Sequence, residues 1–472
     1  MEDYSRIAQR ITVTLFATRS LVSAAFIASG TVSVIVGAGL SGNPAWAGVP
    51  SSVMQLGAAF AALAVARTMD RIGRRWGLAL GLAVGVLGAG LAVGAIVAGA
   101  FLLFLGGTVL LGVASAAMGL GRFAAAEVHP PESRGRAISH VVVGGAVGAV
   151  VGPLLIAPSG RWAQQAGANE LAGPYLAALV MLALASLVIY VWLRPDPRDV
   201  GRKIAQLYPE TVVRPGPGRP VSQILRTPGA LVAVSAMVFG QMVMSMLMGM
   251  TSLHMRNHQH ALIDISVVVS AHTFGMFAFS IVAGRLTDRW GRGPVILIGT
   301  GALVLACALA PLSPGVLPLS IALFLLGLGW NFSYVGGSAL LSDQLSPEER
   351  AKTQGANDFL IGLATAAASF GGGLIFAGTG YVVIGIVGAV ASLVPMGWTG
   401  WWMVKKRRPG DQLPLEGRAH VPGVQPLVAL DGPGERDAAL ALPPSLRSQR
   451  TPAGGVSVGA SGAGGLAQPS PC

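Results

Sequence analysis

Twelve long apolar segments dominate this chain and leave it few folds to choose from. They run roughly over 11–40, 47–66, 76–98, 101–126, 137–157, 173–193, 229–253, 262–284, 294–311, 315–342, 353–377 and 380–404. About 20 apolar residues suffice to carry a helix across the hydrocarbon core, and a helix bonds its backbone polar groups internally, as lipid requires. Only 11% of the 472 residues are charged, against about 25% in soluble domains. The expected fold is therefore all-α and membrane-embedded, with twelve transmembrane helices and the bilayer itself as partner. The first segment is too long for the apolar core of a signal peptide, so it reads as a retained helix.

Two polar stretches divide the chain. Residues 194–228, rich in Arg and Pro, separate six segments (1–193) from six (229–404). Residues 405–472 open with Lys405-Lys406-Arg407-Arg408 and turn rich in Pro, Gly, Ser and Ala. That composition buries no core, so a disordered tail is expected. Lys and Arg collect in the tails, the central linker and the connections leaving even-numbered segments; only Arg161 and Arg256 fall on the other side. By the positive-inside rule both termini are cytoplasmic, in a plasma membrane. The same rule explains the net charge of +12, and no aromatic-interleaved basic patch points to nucleic acid. Two cysteines make neither a disulfide framework nor a zinc spacing. No nucleophile–base pair, phosphate-binding loop or nucleotide-binding domain emerges, so neither an enzyme nor ATP drive is expected, and no cofactor. A monomer is expected.

The two halves repeat. Asp70-Arg71-Ile-Gly73-Arg74-Arg75 is matched by Asp288-Arg289-Trp-Gly291-Arg292-Gly293. Glu127 and Arg134, seven positions apart, are matched by Asp343 and Arg350. Parallel repeats of this kind mark secondary transporters. These loops resemble the major facilitator superfamily, whose 2–3 loop reads G-x-x-x-D-R-x-G-R-R and whose cytoplasmic pairs read E-x6-R. The resemblance covers about residues 10–404. It implies two pseudo-symmetric six-helix bundles that alternate access to a midplane site. The gating residues it implies are Asp70, Arg71, Arg74, Arg75, Glu127 and Arg134, with Asp288, Arg289, Arg292, Asp343 and Arg350 in the second half. The alternative for these charges is topology alone.

Helix 5 carries Gly144, Gly148, Gly152 and Pro153, similar to the G-x-x-x-G-P element of drug–proton antiporters, or else simple close packing. The Arg of the proton-coupled helix-4 motif is missing; Thr108 stands there. Ionisable residues within the spans are few: Arg19, Arg122, His140, His272 and Asp358. Such groups are costly in lipid and are functional candidates by default. Arg19 could bind an anionic substrate group or cap neighbouring carbonyls. Asp358 reads as a gate residue near the cytoplasmic end rather than a proton site.

Helix 7 is rich in methionine, and helix 8 adds His272-Thr-Phe-Gly-Met276. If the hairpin turns near 257–262, Met248 lies level with His272 and Met244 with Met276, near mid-bilayer. Thioethers and a neutral imidazole are soft ligands that select Cu(I); packing of flexible Met side chains is the alternative. Met244-x-x-x-Met248 and His272-x-x-x-Met276 resemble the helix 7 and helix 8 patterns of CcoA-type copper importers. That resemblance implies copper uptake with Met244, Met248, His272 and Met276 as ligands. Riboflavin carriers of the same branch lack the pair. His254, His258 and His260 could collect a metal ion at the outer entrance. The leading expectation is a secondary transporter that imports copper. The alternative is a carrier or efflux pump for a small organic solute, perhaps proton-coupled, using Arg19. A third is a transporter-like sensor acting through its tail.

Overall fold

The computed structural model describes residues 2–130, 133–207 and 218–407. Most of the expected tail and the middle of the central linker lie outside the described residues. Six helices form the first half: α1 (Glu2–Ser41), α2 (Val49–Ile72), α3 (Arg74–Ala98), α4 (Phe101–Glu127), α5 (Arg134–Gln165) and α6 (Gly173–Trp192). Short linker helices α7 (Pro197–Leu207) and α8 (Val221–Leu225) follow. The second half contains α9 (Pro228–Asn257), α10 (Leu262–Phe277), α11 (Ser280–Arg289), α12 (Arg292–Leu309), α13 (Val316–Asp343), α14 (Pro347–Thr379) and α15 (Tyr381–Arg407). Helices α10 and α11 together make the eighth span, and twelve spans are long and apolar enough to cross a membrane. The described residues contain no strand.

Helix contacts repeat between the halves. Helix α3 packs on α4 as α12 packs on α13, and α1 packs on α5. Small residues make these seams. A Cβ on Gly81 or Gly85 would overlap Ala117 or Ala114, and one on Gly299 would meet Ser333 at 2.6 Å. In lipid no hydrophobic driving force separates helices from their surroundings, so close van der Waals packing carries the association. The Gly144/Gly148/Gly152 stripe is buried against α1, where added Cβ atoms would strike Phe16, Ser20 and Ile27. Ser20 and Ser23 donate to the carbonyls of Gly144 and Gly145 at 2.8 and 2.7 Å. This element therefore packs the first bundle.

Both charged loops turn on glycine. Gly73 and Gly291 have φ of +97° and +87°, the region that L side chains avoid. Each ends one span and starts the next, so the repeat in sequence is a repeat in backbone. The end of the bundle carrying these loops is called here the basic end, and the opposite one the far end.

Span 8 breaks at Ala278–Phe279, between α10 and α11. A break frees backbone groups that lipid cannot satisfy. Asn331 on α13 meets this need: its Nδ2 donates to the Met276 carbonyl at 2.6 Å and to Ser280 Oγ at 2.8 Å.

Candidate functional site

At the basic end the repeated loop charges clasp each half internally. Arg74 donates to Glu127 at 2.7 and 3.1 Å and to Asp70 at 2.9 Å, joining α2, α3 and α4. In the second half Arg292 reaches Asp343 at 2.9 Å and Asp288 at 3.4 Å. The expected Glu127–Arg134 and Asp343–Arg350 pairs are not formed. Arg134 donates to the His129 carbonyl at 3.4 Å, while Arg350 is exposed. The physical reason is position: the α3 and α12 arginines start helices whose first turn faces the end of α4 and α13. Arg71 and Arg289 are exposed. Arg75 donates twice to the Tyr190 carbonyl and lies over the Trp76 and Tyr190 rings, tying α3 to α6.

Asp196 in the linker accepts from the backbone N–H of Arg74 and Arg75 at 3.1 and 3.0 Å. It thus satisfies orphan donors at the start of α3 and complements the helix dipole.

Links between the halves sit elsewhere. Toward the far end Ser52 donates to the Ala366 carbonyl and Ser266 to the Pro153 carbonyl, both at 2.7 Å. Arg256 pairs with Glu170. Glycines let the backbones touch: a Cβ on Gly48 would overlap the Ser369 carbonyl, and one on Gly373 would meet Ala45 at 2.9 Å. These contacts hold the two halves together toward the far end. Nearer the basic end the halves are joined by Arg122 on α4 and Asp358 on α14, at 2.8 Å.

That pair is the centre of a mixed polar and aromatic cluster. Arg122 also lies 4.9 Å from the centre of the Phe123 ring, and its buried Nε has no partner. Half-buried Arg19 on α1 lies within electrostatic range of Arg122 and has no ion pair among the described residues. Its Nε would touch a Cβ placed on Gly145 at 3.0 Å, so glycine there makes room for the guanidinium. Tyr334 on α13 senses both Asp358 and Arg122. It stacks on Trp330, one turn earlier, with ring centres 5.1 Å apart and planes 22° apart. Trp330 Nε1 donates to Gln241 Oε1 at 2.7 Å, and Gln241 donates to Ser245 at 3.2 Å. Arg122 thus faces one carboxylate, with the Arg19 guanidinium within electrostatic range and an indole–phenol pair nearby, from elements of both halves.

The model of the Major Facilitator Superfamily matches residues 14–260 and 233–451. The chain belongs to that superfamily. A transporter of this superfamily from Bacillus subtilis, YdeG, is 37% identical over 377 residues, covering 79% of this chain and 86% of its own. The riboflavin transporter RfnT of Brucella anthropi is 32% identical over 351 residues, covering 74% and 85%. Among solved structures a D-xylose–proton symporter superposes with a TM-score of 0.62 at 17% identity, covering 82% of this chain and 97% of that one; this similarity concerns the fold. The major facilitator chain described here is a multi-pass secondary transporter of a small substrate, not an enzyme.

The residues expected to bind copper are placed as follows. Met244 and Met248 on α9 are half-buried. His272 on α10 is buried, and its Nδ1 lies 3.0 Å from the Leu323 carbonyl of α13. A carbonyl only accepts, so Nδ1 carries the proton. Met276 is half-buried where α10 ends. Two other methionines of this helix fill gaps: Met246 and Met250 lie over Gly372, and Met246 also reaches Gly388. Of the histidines at the end of α9 and in the loop after it, His254 and His258 come together, with ring centres 4.4 Å apart. His254 stacks on Tyr381 with ring centres 4.3 Å apart, His258 bonds the His254 carbonyl, and His260 approaches Asp264 at 3.6 Å. No group of three or more His, Cys, Asp or Glu poised for a metal occurs among the described residues.

The sequence reading missed Trp330, Tyr334 and Gln241, because aromatic and amide residues in apolar runs carry no periodic signal. It also missed Glu349. Arg219, from the linker, donates to Glu349 through Nε and Nη2 at 2.9 Å each and through its backbone N–H at 3.0 Å. These bonds, together with that from Ser346, hold the carboxyl down at about 2. An unfolded glutamate titrates near about 4.3. The attachment is therefore complete above that value and is lost as pH falls through about 2. A spin label at exposed Ser222 is expected to stay immobilised at pH 4 and to loosen only toward pH 2. With Glu349→Gln it is expected to be loose at neutral pH.

Proposed function

We propose that this major facilitator chain carries a small, planar, hydrogen-bonding organic solute of the flavin kind, bound at the Arg19–Arg122–Asp358–Trp330 cluster. One observation carries the reading: two guanidinium groups, one carboxylate and a stacked aromatic pair are contributed by both halves at one place. Half-buried cations with too few counter-charges are costly within a membrane span, and a substrate that supplies acceptor oxygens offsets that cost. The indole–phenol platform suits a flat ring, worth about 0.5–1.5 kcal/mol per aromatic contact. The name of the RfnT relative supports the same solute class.

The mechanism follows from where the bonds lie. The Arg74–Glu127 and Arg292–Asp343 clasps keep each half rigid. Asp70, Arg71, Arg75, Arg134, Asp288, Arg289 and Arg350 surround them. Rocking then exchanges the far-end contacts for basic-end ones. On this reading the basic end is cytoplasmic, and the far-end contacts Ser52–Ala366, Ser266–Pro153 and Arg256–Glu170 close the outer side.

The test is flavin fluorescence and copper content in cells with and without the protein, at matched expression. Flavin content is expected to change in wild type. Arg19→Gln and Trp330→Ala are expected to reduce the change about tenfold, as a loss of about 1.4 kcal/mol would. His272→Ala and Met244→Ala are expected to leave it intact. A copper change that both His272→Ala and Met244→Ala abolish, with Arg19→Gln unaffected, would sink this reading in favour of a metal site on α9 and α10.

A further inference from the structure

We propose that a cavity between the ends of α1 and α5 at the basic end is a binding site for an acidic phospholipid. The cavity holds about 920 Å³, within the size range of small-molecule sites. Its lining mixes two chemistries. His129, Arg136 and His140 supply a cation and imidazoles, and Val13, Phe16 and Ile204 supply apolar surface. None of the described lining residues is acidic.

The cavity straddles the boundary between water and hydrocarbon. On α1 the boundary is legible as the step from Gln9-Arg10 to Ile11-Thr12-Val13, and the lining runs from Tyr4 to Phe16 across it. On α5 the same order holds: Arg136 and His140 come first, and exposed Val142 and Val143 follow. A third marker is α7, which is amphipathic. It buries Val200 and Ile204 while Arg202 and Lys203 stay exposed, as expected of a helix lying in the interface plane. Ile204 contributes its buried side directly to the cavity.

Charge completes the case. Arg136 and His140, one turn apart on α5, are both exposed and have no ion pair or hydrogen bond among the described residues. The His129 Nδ1 is bonded to the Ala125 carbonyl at 2.9 Å, which leaves its Nε2 for a ligand. Val13 is 66% exposed at the apolar wall. Basic pockets between spans on the cytoplasmic side recognise anionic head groups. Here the phosphate would sit at Arg136 and His140, and one acyl chain would pass Val13 and Phe16. A dissolved substrate would need no apolar wall at this depth. The cavity lining shares no residue with the Arg122 cluster, so its variants test lipid binding separately from the transport reading.

The experiment is native mass spectrometry of the full chain in detergent, titrated with phosphatidylglycerol or phosphatidylcholine. Wild type is expected to retain phosphatidylglycerol about tenfold better, the ratio for about 1.4 kcal/mol. Arg136→Gln combined with His140→Gln is expected to erase that preference without altering thermal stability in phosphatidylcholine. Val13→Trp, which fills the apolar wall and keeps every charge, is expected to weaken retention of the lipid as well. Equal retention of both lipids, a preference that survives the double variant, or glycerol phosphate competing as well as the whole lipid would each overturn the proposal.

Discussion

Replacing Asp358 with Asn is expected to lower transport about tenfold while leaving the helices intact. The substitution removes the carboxylate opposite Arg122 and leaves that guanidinium beside Arg19 with no counter-charge. Breaking one partner of a fully buried pair costs about 3–5 kcal/mol. Both side chains here are 34% exposed, so screening reduces the figure to about 1–2 kcal/mol. That is still about one order of magnitude in a population or a rate. The exchanged pair, Arg122→Asp with Asp358→Arg, discriminates two roles. It restores the ionic link between α4 and α14 but removes one of the two adjacent cations. The expected result is near-wild-type distances between the halves at the basic end, by paired spin labels, with transport still low. Recovered transport would mean that the pair acts only as a strut.

The second large effect is at the far end. Gly48→Val is expected to prevent closure there. A side chain at Gly48 overlaps the Ser369 carbonyl, which belongs to the other half and is backbone rather than a movable side chain. Overpacking costs about 1–3 kcal/mol, a shift of about five- to 150-fold between the two access states. The two halves can relieve the clash only by parting, so the population moves toward a state open at the far end. Distances between spin labels across the α2–α14 contact are expected to lengthen, and transport to fall. Gly39→Ala is the control: no atom lies within 4 Å of its added Cβ, and it is expected to behave as wild type. An unchanged far-end distance in Gly48→Val would show that this contact is not part of the closed state.

The contrast between Gly48 and Gly148 shows why these glycines differ in meaning. Gly148 meets Ser20 within one half, so its contact persists through any rigid-body rocking. Gly48 meets the opposite half, so the proposed rocking would make and break its contact. Spacing alone makes both read as close-packing positions.

Much of the architecture is legible in the chain itself. Bilayer thickness sets the span length, lipid forbids unpaired backbone groups, and so twelve apolar segments became twelve spans. The repeated Asp-Arg-x-Gly-Arg loops were legible too, because a positive φ at Gly73 and Gly291 leaves few other residues possible. Arg19, Arg122 and Asp358 stood out because charge is rare at that depth. Pairing was another matter. Glu127 found Arg74 rather than Arg134, and Glu349 found Arg219 from the linker, because packing rather than sequence distance decides which charges meet. The methionines of α9 illustrate the same limit. Their spacing admits a ligand stripe and a packing stripe alike, and the glycines that make packing of Met246 and Met250 possible lie on α14 and α15. Hydrophobic length and rare charges are local properties, so the sequence alone determined the fold class, the repeat and the candidate charges. Helix rotation and partner choice depend on contacts between segments far apart in the chain, so only the tertiary structure brought Arg19, Arg122, Asp358, Trp330 and Tyr334 to one place.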